Sequence, residues 1–250
     1  MVQEKRIGIA LSGGGARGFA HLGILKAFEE ANISIDVLAG TSMGAIIAAF
    51  WAKGYKADEI FTLLHQLKLR QFIRWRKPHQ SLFSYQKIYK FLKNYFPDNQ
   101  ISSLQKPLTI TCTNLIEGNL VSFSEGELLE ALIGSFAIPA LLEPVKFRDM
   151  ELIDGGIIQN LPSEVIRQQC DYLIGVHCNP LSKKSGKNMR ENIERTFIVA
   201  VQANISSAIA LCDLFIEPPN LSNYRFADIK KAPAIFEEGY WYAKKLVVNF

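Results

Sequence analysis

The chain has 250 residues, with 28 Lys and Arg against 24 Asp and Glu for a formal net charge of +4. A content of 48% hydrophobic and 21% charged residues is that of a soluble globular protein and argues against a disordered or fibrous chain. No apolar run approaches the ~18 residues of a membrane span, and the densest, MGAIIAAFWA, reads as a buried helix.

Taken in chain order, the pattern predicts a strand at 6–12, a helix at 18–31, a strand at 35–40 and a helix at 43–54. A mostly helical, basic stretch follows over 58–96. Strands are expected near 107–114 and 119–123, a helix at 126–137, and strands near 144–147 and 150–153. The rest alternates again, with helix 162–169, strand 171–177, helix 189–209, strand 213–217 and helix 234–247. Strands alternating with helices predict one α/β domain with a largely parallel sheet covered on both faces. The strands are apolar throughout, as strands buried on both faces must be. NPLSKKSGKN (179–188) reads as a mobile basic loop. Glu4, Lys5 and Arg6 precede only four apolar residues, too few for a signal peptide, so a cytoplasmic location is expected. Cys112, Cys170, Cys178 and Cys212 show no CxxC pairing and are expected as free thiols, with no metal site and no cofactor.

Two glycine motifs carry the chemistry. In LSGGGARGFAHLG, Gly13, Gly15 and Gly18 satisfy G-x-G-x-x-G between a strand and a helix, the context of a dinucleotide loop. Such a fold wants an acid at the end of its second strand to bind ribose. Here the only acid of IDVLAG, Asp36, lies at the wrong end, and the right end carries GTSMG, residues 40–44. That is G-x-S-x-G after a strand and before a helix, the arrangement of a nucleophile elbow. Gly40 and Gly44 let the chain turn sharply around Ser42. Alone, GTSMG would also suit a glycine-bounded turn with a capping serine. The two loops leave adjacent strands and emerge at one sheet edge, where such folds bind ligands. The N–H groups of Gly13, Gly14 and Gly15 then suit the oxyanion formed when a serine attacks an acyl carbonyl. Arg17 either reinforces that field, anchors the loop or is simply structural.

A serine nucleophile needs a base. His65 and His79 lie in the basic stretch, and His21 falls on the apolar face of its helix. His177 ends a strand and completes the chain order Ser42, Asp154, His177 of an α/β-hydrolase triad. Asp154 alone, in MELIDGGIIQNLP, is the other candidate. Asp-Gly is first a hairpin signal, and a carboxylate of pKa ~3.9 needs desolvation to act as a base.

GGGARG before an apolar helix, GTSMG, GSFAIP (134–139) and DGGIIQNLP stand in the order and approximate spacing of the patatin-like phospholipases, and the chain resembles small bacterial members of that family over residues 7 to about 178. The resemblance implies a three-layer acyl-hydrolase fold and a lipid acyl hydrolase with phospholipid or lysophospholipid substrates. It also implies a Ser42–Asp154 dyad needing no histidine, an oxyanion hole at Gly13–Gly15, and supporting roles for Gly155 and Gly156. GSFAIP would be structural. A rival of another class is a non-enzymatic regulator that binds a nucleotide or acyl-CoA on the glycine loop; a His177 triad is the rival among enzymes.

Residues 60–96 contain no Asp or Glu and carry eight Lys or Arg, more than the chain's net charge. In FSYQKIYKFLKNYF, Tyr85, Ile88, Tyr89, Leu92, Tyr95 and Phe96 share a helical face opposite Lys87, Lys90 and Asn94, a pattern that core packing also explains. With RQFIRWRKPHQ beside it, the stretch suits a cap in transient contact with an anionic membrane surface, peripheral to the bilayer. Nucleic acid would accept the same patch, but a hydrolase site beside it favours lipid.

Overall fold

Residues that alternate between two apolar surfaces build the centre of the molecule. In the computed structural model, which describes residues 5–67, 85–139, 141–182 and 188–247 except the side chains of Arg190 and Phe197, strand β1 (Ile7–Leu11) sends Ile9 and Leu11 to one side and Ala10 to the other. Strand β2 (Val37–Thr41) likewise divides Leu38 from Val37 and Ala39, and β7 (Tyr172–Val176) divides Ile174 and Val176 from Leu173. Period-2 side-chain alternation thus feeds two cores, one per face.

The first and larger core is covered by α1 (Phe19–Glu30), α2 (Met43–Ala52), α3 (Ala57–Gln66), α4 (Tyr85–Tyr95), α5 (Leu128–Ser135) and α8 (Ala232–Val247). The second is covered by α7 (Ile205–Ala210) and the segment carrying Leu161 and Ile166. Helices and turns therefore sandwich the sheet in three layers. Among the described residues the sheet has eight strands, ordered β5-β6-β3-β2-β1-β7-β8, with β4 (Asn119–Phe123) also paired to β3 (Leu108–Asn114). β3, β2, β1, β7 and β8 (Leu214–Ile216) pair in parallel, while β4, β5 (Val145–Phe147) and β6 (Met150–Asp154) join antiparallel.

One detail of register positions the site. β3 is paired along Ile110–Asn114 to β4, so β2 and β6 share its other edge. β2 runs parallel and ends with Thr41 opposite Thr111; β6 runs antiparallel and ends with Asp154 opposite Cys112. Two strand ends thus meet head to head at consecutive residues of β3.

Three expectations change. Residues 162–169 form no α-helix but a turn closed by a short 3-10 helix at Arg167–Gln169. The Arg167 guanidinium bonds the carbonyls of Cys170, Asp171 and Leu211 instead, and Ile166 is drawn into the second core. The helix expected at 189–209 is broken at Asn204 into α6 (Met189–Ala203) and α7, a break that lets Ile205 and Ala208 reach the second core. Asp154-Gly155 makes no hairpin; it ends β6 and enters a 3-10 turn. In α4 the aromatic stripe packs on the first core through Tyr85, Ile88, Tyr89 and Tyr95, and Lys87, Lys90 and Lys93 are exposed. RQFIRWRKPHQ, with His79, and residues 183–187 of the basic loop lie outside the described residues.

Candidate active site

Ser42 stands between β2 and α2 with φ 53° and ψ −123°, a backbone conformation that costs an L residue on the order of 1–3 kcal/mol. Packing enforces it. A Cβ on Gly44 would strike the carbonyl oxygens of Leu11 and Ser12, so only glycine lets α2 start this close to the end of β1. Gly40 sits inside the turn, packed on the backbone of Ala45. The Ser42 N–H donates to Ser135 Oγ at 2.8 Å, and Ser135 in turn donates to the Thr111 carbonyl at 2.7 Å. Thr41 and Thr111 hydroxyls are bonded at 2.7 Å. The elbow is therefore pinned to β3 on both sides of the chain.

The meeting of strand ends brings Asp154 to Ser42. Ser42 Oγ donates to Asp154 Oδ2 at 2.7 Å, across 112 residues of sequence. The Gly156 N–H donates to Asp154 Oδ1 at 2.8 Å. A Cβ on Gly155 would collide with the Thr111 carbonyl, so glycine there lets the turn fold back against β3. Ser42 is 2% exposed and Asp154 3%. Burial pushes the Asp154 pKa up to about 6, against the two hydrogen bonds that pull it down.

The glycine loop lies beside this pair. Its three glycines line the same cavity as Ser42, Asp154, Ile138 and Phe226, a space of ≈ 20 Å³, room for little more than one water. The Gly13 N–H is already taken by the Asn160 carbonyl at 3.3 Å. The Gly13 carbonyl accepts from Asn179 Nδ2 at 2.7 Å, and the Gly14 carbonyl accepts from the Arg17 N–H at 3.1 Å. In a trans peptide the N–H points opposite the carbonyl. The Gly14 and Gly15 N–H groups are thereby left without an acceptor in the backbone hydrogen bonds of the described residues. Gly15 has φ +54°, and a side chain there would meet the Phe226 carbonyl.

Arg17 is 3% exposed. Its Nε donates to the Tyr224 carbonyl at 2.8 Å and its guanidinium lies 5.1 Å from the Phe226 ring centroid. It ties the 224–226 loop to the glycine loop, and burial lowers its pKa. His177 is fully buried between Glu217, 2.6 Å from Nδ1, and Asn160, whose Nδ2 is 3.3 Å from Nε2. No hydrogen bond among the described residues joins it to Ser42 or Asp154. His21 bonds the Ser12 carbonyl through Nε2 at 2.8 Å, and burial lowers its pKa to about 4, so it is neutral and structural. His65 stacks on Phe61, away from the site. Among the described residues no group of His, Cys, Asp and Glu could hold a metal ion, and all four cysteines are free thiols.

The sequence profile of the patatin-like phospholipases matches residues 9–166, from β1 through the Asp154 turn. The chain belongs to this patatin-like phospholipase family. It is 25% identical over 280 aligned positions to "Lysophospholipase NTE1" of Scheffersomyces stipitis, covering 98% of this chain and 18% of that protein. It is 31% identical over 192 positions to an uncharacterised NTE family protein of Mycobacterium bovis, covering 75% of this chain and 53% of that one. The chain thus spans about half or less of these curated relatives. Among solved structures, VipD from Legionella pneumophila superposes with a TM-score of 0.67 at 14% identity, over 99% of this chain and 67% of VipD. The type III effector ExoU gives 0.51 at 16% identity, over 99% and 53%. These likenesses establish a shared patatin-like fold.

Three residues at the site of this family member have no place in the sequence reading. Ser135 was visible only as part of GSFAIP, yet it holds the elbow N–H. Asn160 and Asn179 hold the glycine loop. Their one signal in the sequence is an amide just beyond a strand or turn and within two residues of a proline, in QNLP and CNP.

Proposed function

We propose that the protein is a serine hydrolase cleaving acyl esters of phospholipids or lysophospholipids. The observation that carries this reading is the 2.7 Å hydrogen bond from Ser42 Oγ to a buried Asp154 whose pKa is raised to about 6. A carboxylate so placed is a stronger base than an exposed one and is still ionised at neutral pH. Ser42 Oγ attacks the ester carbonyl and its proton passes to Asp154 Oδ2. The oxyanion lies toward the Gly14 and Gly15 N–H groups, the two that lack an acceptor in the backbone hydrogen bonds of the described residues. Collapse of the tetrahedral intermediate expels the alcohol, which recovers the proton from Asp154. Water then attacks the acyl-enzyme, Asp154 takes its proton, and the fatty acid leaves as Ser42 is restored. Gly13 enters through its carbonyl, the handle by which Asn179 orients the loop. His177 is occupied by Glu217 and Asn160, which favours a dyad over a triad.

Membrane contact belongs to the same proposal: exposed Lys87, Lys90 and Lys93 of α4 turn a basic face outward beside the basic segment that precedes it.

Fluorophosphonate labelling with peptide mapping tests the chemistry. Label should sit on Ser42, disappear in folded Asp154→Asn and persist in His177→Ala. Loss of label in His177→Ala alone would favour the triad. An unlabelled, folded wild type that binds nucleotide saturably would favour the regulator.

A further inference from the structure

Helix α6 is built inside out. A surface helix usually turns its charges to water and its apolar side chains to the core. In α6 the described charged residues Glu191, Glu194 and Arg195 are half-buried and bonded to the body: Glu191 pairs with Arg225, Glu194 accepts from the Phe226 N–H at 2.7 Å, and Arg195 donates to the Ser182 carbonyl at 2.8 Å. The outward face carries no described charge. Met189, Asn192, Ile193, Thr196 and Ala200 line an open groove along it, with Met189 78% and Ile193 62% exposed.

Other exposed apolar residues leave the sheet at the same edge as Ser42. β3 overruns the end of β2 by three residues before it turns at exposed Leu115 and Ile116. Exposed Leu141 lies three residues beyond Ile138, and exposed Leu181 two beyond Asn179, and both Ile138 and Asn179 line the catalytic cavity. Of the eight large hydrophobic residues exposed among the described ones, four are these, three (Met189, Ile193 and Val199) are on α6, and Trp241 is on α8. Scattered exposed apolar residues mean nothing, but several gathered around the catalytic edge mark an interaction surface.

We propose that this apolar rim, of which the outward face of α6 is the largest part, seats the protein on a lipid bilayer so that an acyl ester passes to Ser42 without crossing water. The inference rests on the acyl-hydrolase reading above. Among the described side chains this face carries no charge, which suits the hydrocarbon boundary of a bilayer better than the phosphates of a nucleic acid. A second protein copy seated on the rim would cover the edge through which substrate must come, whereas a bilayer supplies substrate there. The helix also links docking to access. Its inner side holds two elements of the cavity wall, Phe226 through Glu194 and the Asn179 carbonyl through Gln202 at 2.9 Å. The cavity as it stands is far too small for an acyl chain, so substrate entry requires this wall to shift.

The test is cosedimentation of the full chain with phosphatidylcholine vesicles in high salt, which silences the basic segment. Met189→Glu/Ile193→Glu should bind about tenfold more weakly or worse, as expected from barring two side chains from hydrocarbon. Its turnover of a monomeric, water-soluble nitrophenyl ester should stay within about twofold of wild type, which also reports that it folds. Trp241→Glu should bind like wild type, and the milder Ile193→Ser should fall between. Undiminished vesicle binding by the double variant overturns the proposal. So does a wild-type dimer that the double variant splits into monomers while vesicle binding holds. Weakened vesicle binding in a protein whose wild type cleaves no ester would keep the docking surface and overturn the hydrolase reading instead.

Discussion

At the scale of single residues, Asp154 offers the most direct readout. In the proposed mechanism its ionised form is the base, so kcat/KM should rise with pH through an acidic limb near pH 6, where a solvated aspartate would place it near ~4. A limb near pH 4 would mean that burial does not govern the group. The same shift sets stability with a definite sign. Between about pH 4 and pH 6 the folded state holds a proton that the unfolded state has lost, so this residue makes stability fall as pH rises across that window. Asp154→Asn removes that penalty and should melt no lower than wild type at pH 7.5 while losing activity. Asn179 acts one shell further out. Asn179→Ala frees the Gly13 carbonyl that orients the Gly13–Gly14 peptide, and kcat should drop about tenfold with KM little changed, less than the loss of an oxyanion donor itself. A matching rise in KM would indicate a collapsed loop instead.

At the scale of elements, the decisive contact is backbone on backbone. The first turn of α2 presses on the carbonyls that end β1 and holds Ser42 in its strained conformation. Gly44→Ala inserts a methyl into that contact and should destabilise the fold by about 3 kcal/mol, read as a lowered Tm, with labelling of Ser42 lost along with the elbow geometry. The nucleophile elbow and the glycine loop were legible in the sequence because each is a local device. G-x-S-x-G between a strand and a helix leaves the backbone few other choices, and three glycines after a strand imply close approach. The helix expected at 162–169 failed for the converse reason. Apolar spacing alone cannot reveal that Arg167 will bond the neighbouring carbonyls or that Leu161 and Ile166 are claimed by the second core.

At the scale of the whole molecule, the proposed membrane contact has a basic part, in the sequence of residues 60–96, and an apolar part, on α6. If the proposed membrane contact holds, the basic segment of 60–96 acts through long-range attraction, so reversing Arg70, Arg74 and Arg76 should weaken binding to anionic vesicles more than tenfold at low salt, from about 1 kcal/mol per cation, and the effect should vanish as salt screens it. Binding that stays unchanged at low salt would remove the segment from the membrane-contact reading. Among the described residues no helix is long and apolar enough to cross a membrane. The α4 part of that segment already uses its aromatic residues for the core and keeps its lysines, with Gln86 and Asn94, outside, which is how the ordinary amphipathic helix resolves the pattern seen in the sequence.

The sequence by itself determined the α/β alternation and the two glycine turns that carry Gly13–Gly15 and Ser42, while Asp154 stood out from His177 only through the family resemblance. Each is written within a few residues, where steric limits on φ and ψ act directly. Tertiary structure decided the rest. The ends of β2 and β6 meet only because both pair with one edge of β3, and that meeting sets a hydrogen bond across 112 residues. Desolvation of Asp154, the capture of His177 by Glu217 and Asn160, and the taking of the Gly13 N–H by Asn160 all depend on which distant groups arrive. The inversion of α6 is of the same kind. Its pattern of charged and apolar residues is plain in the sequence, but which face meets water depends on what the protein body offers it to bond.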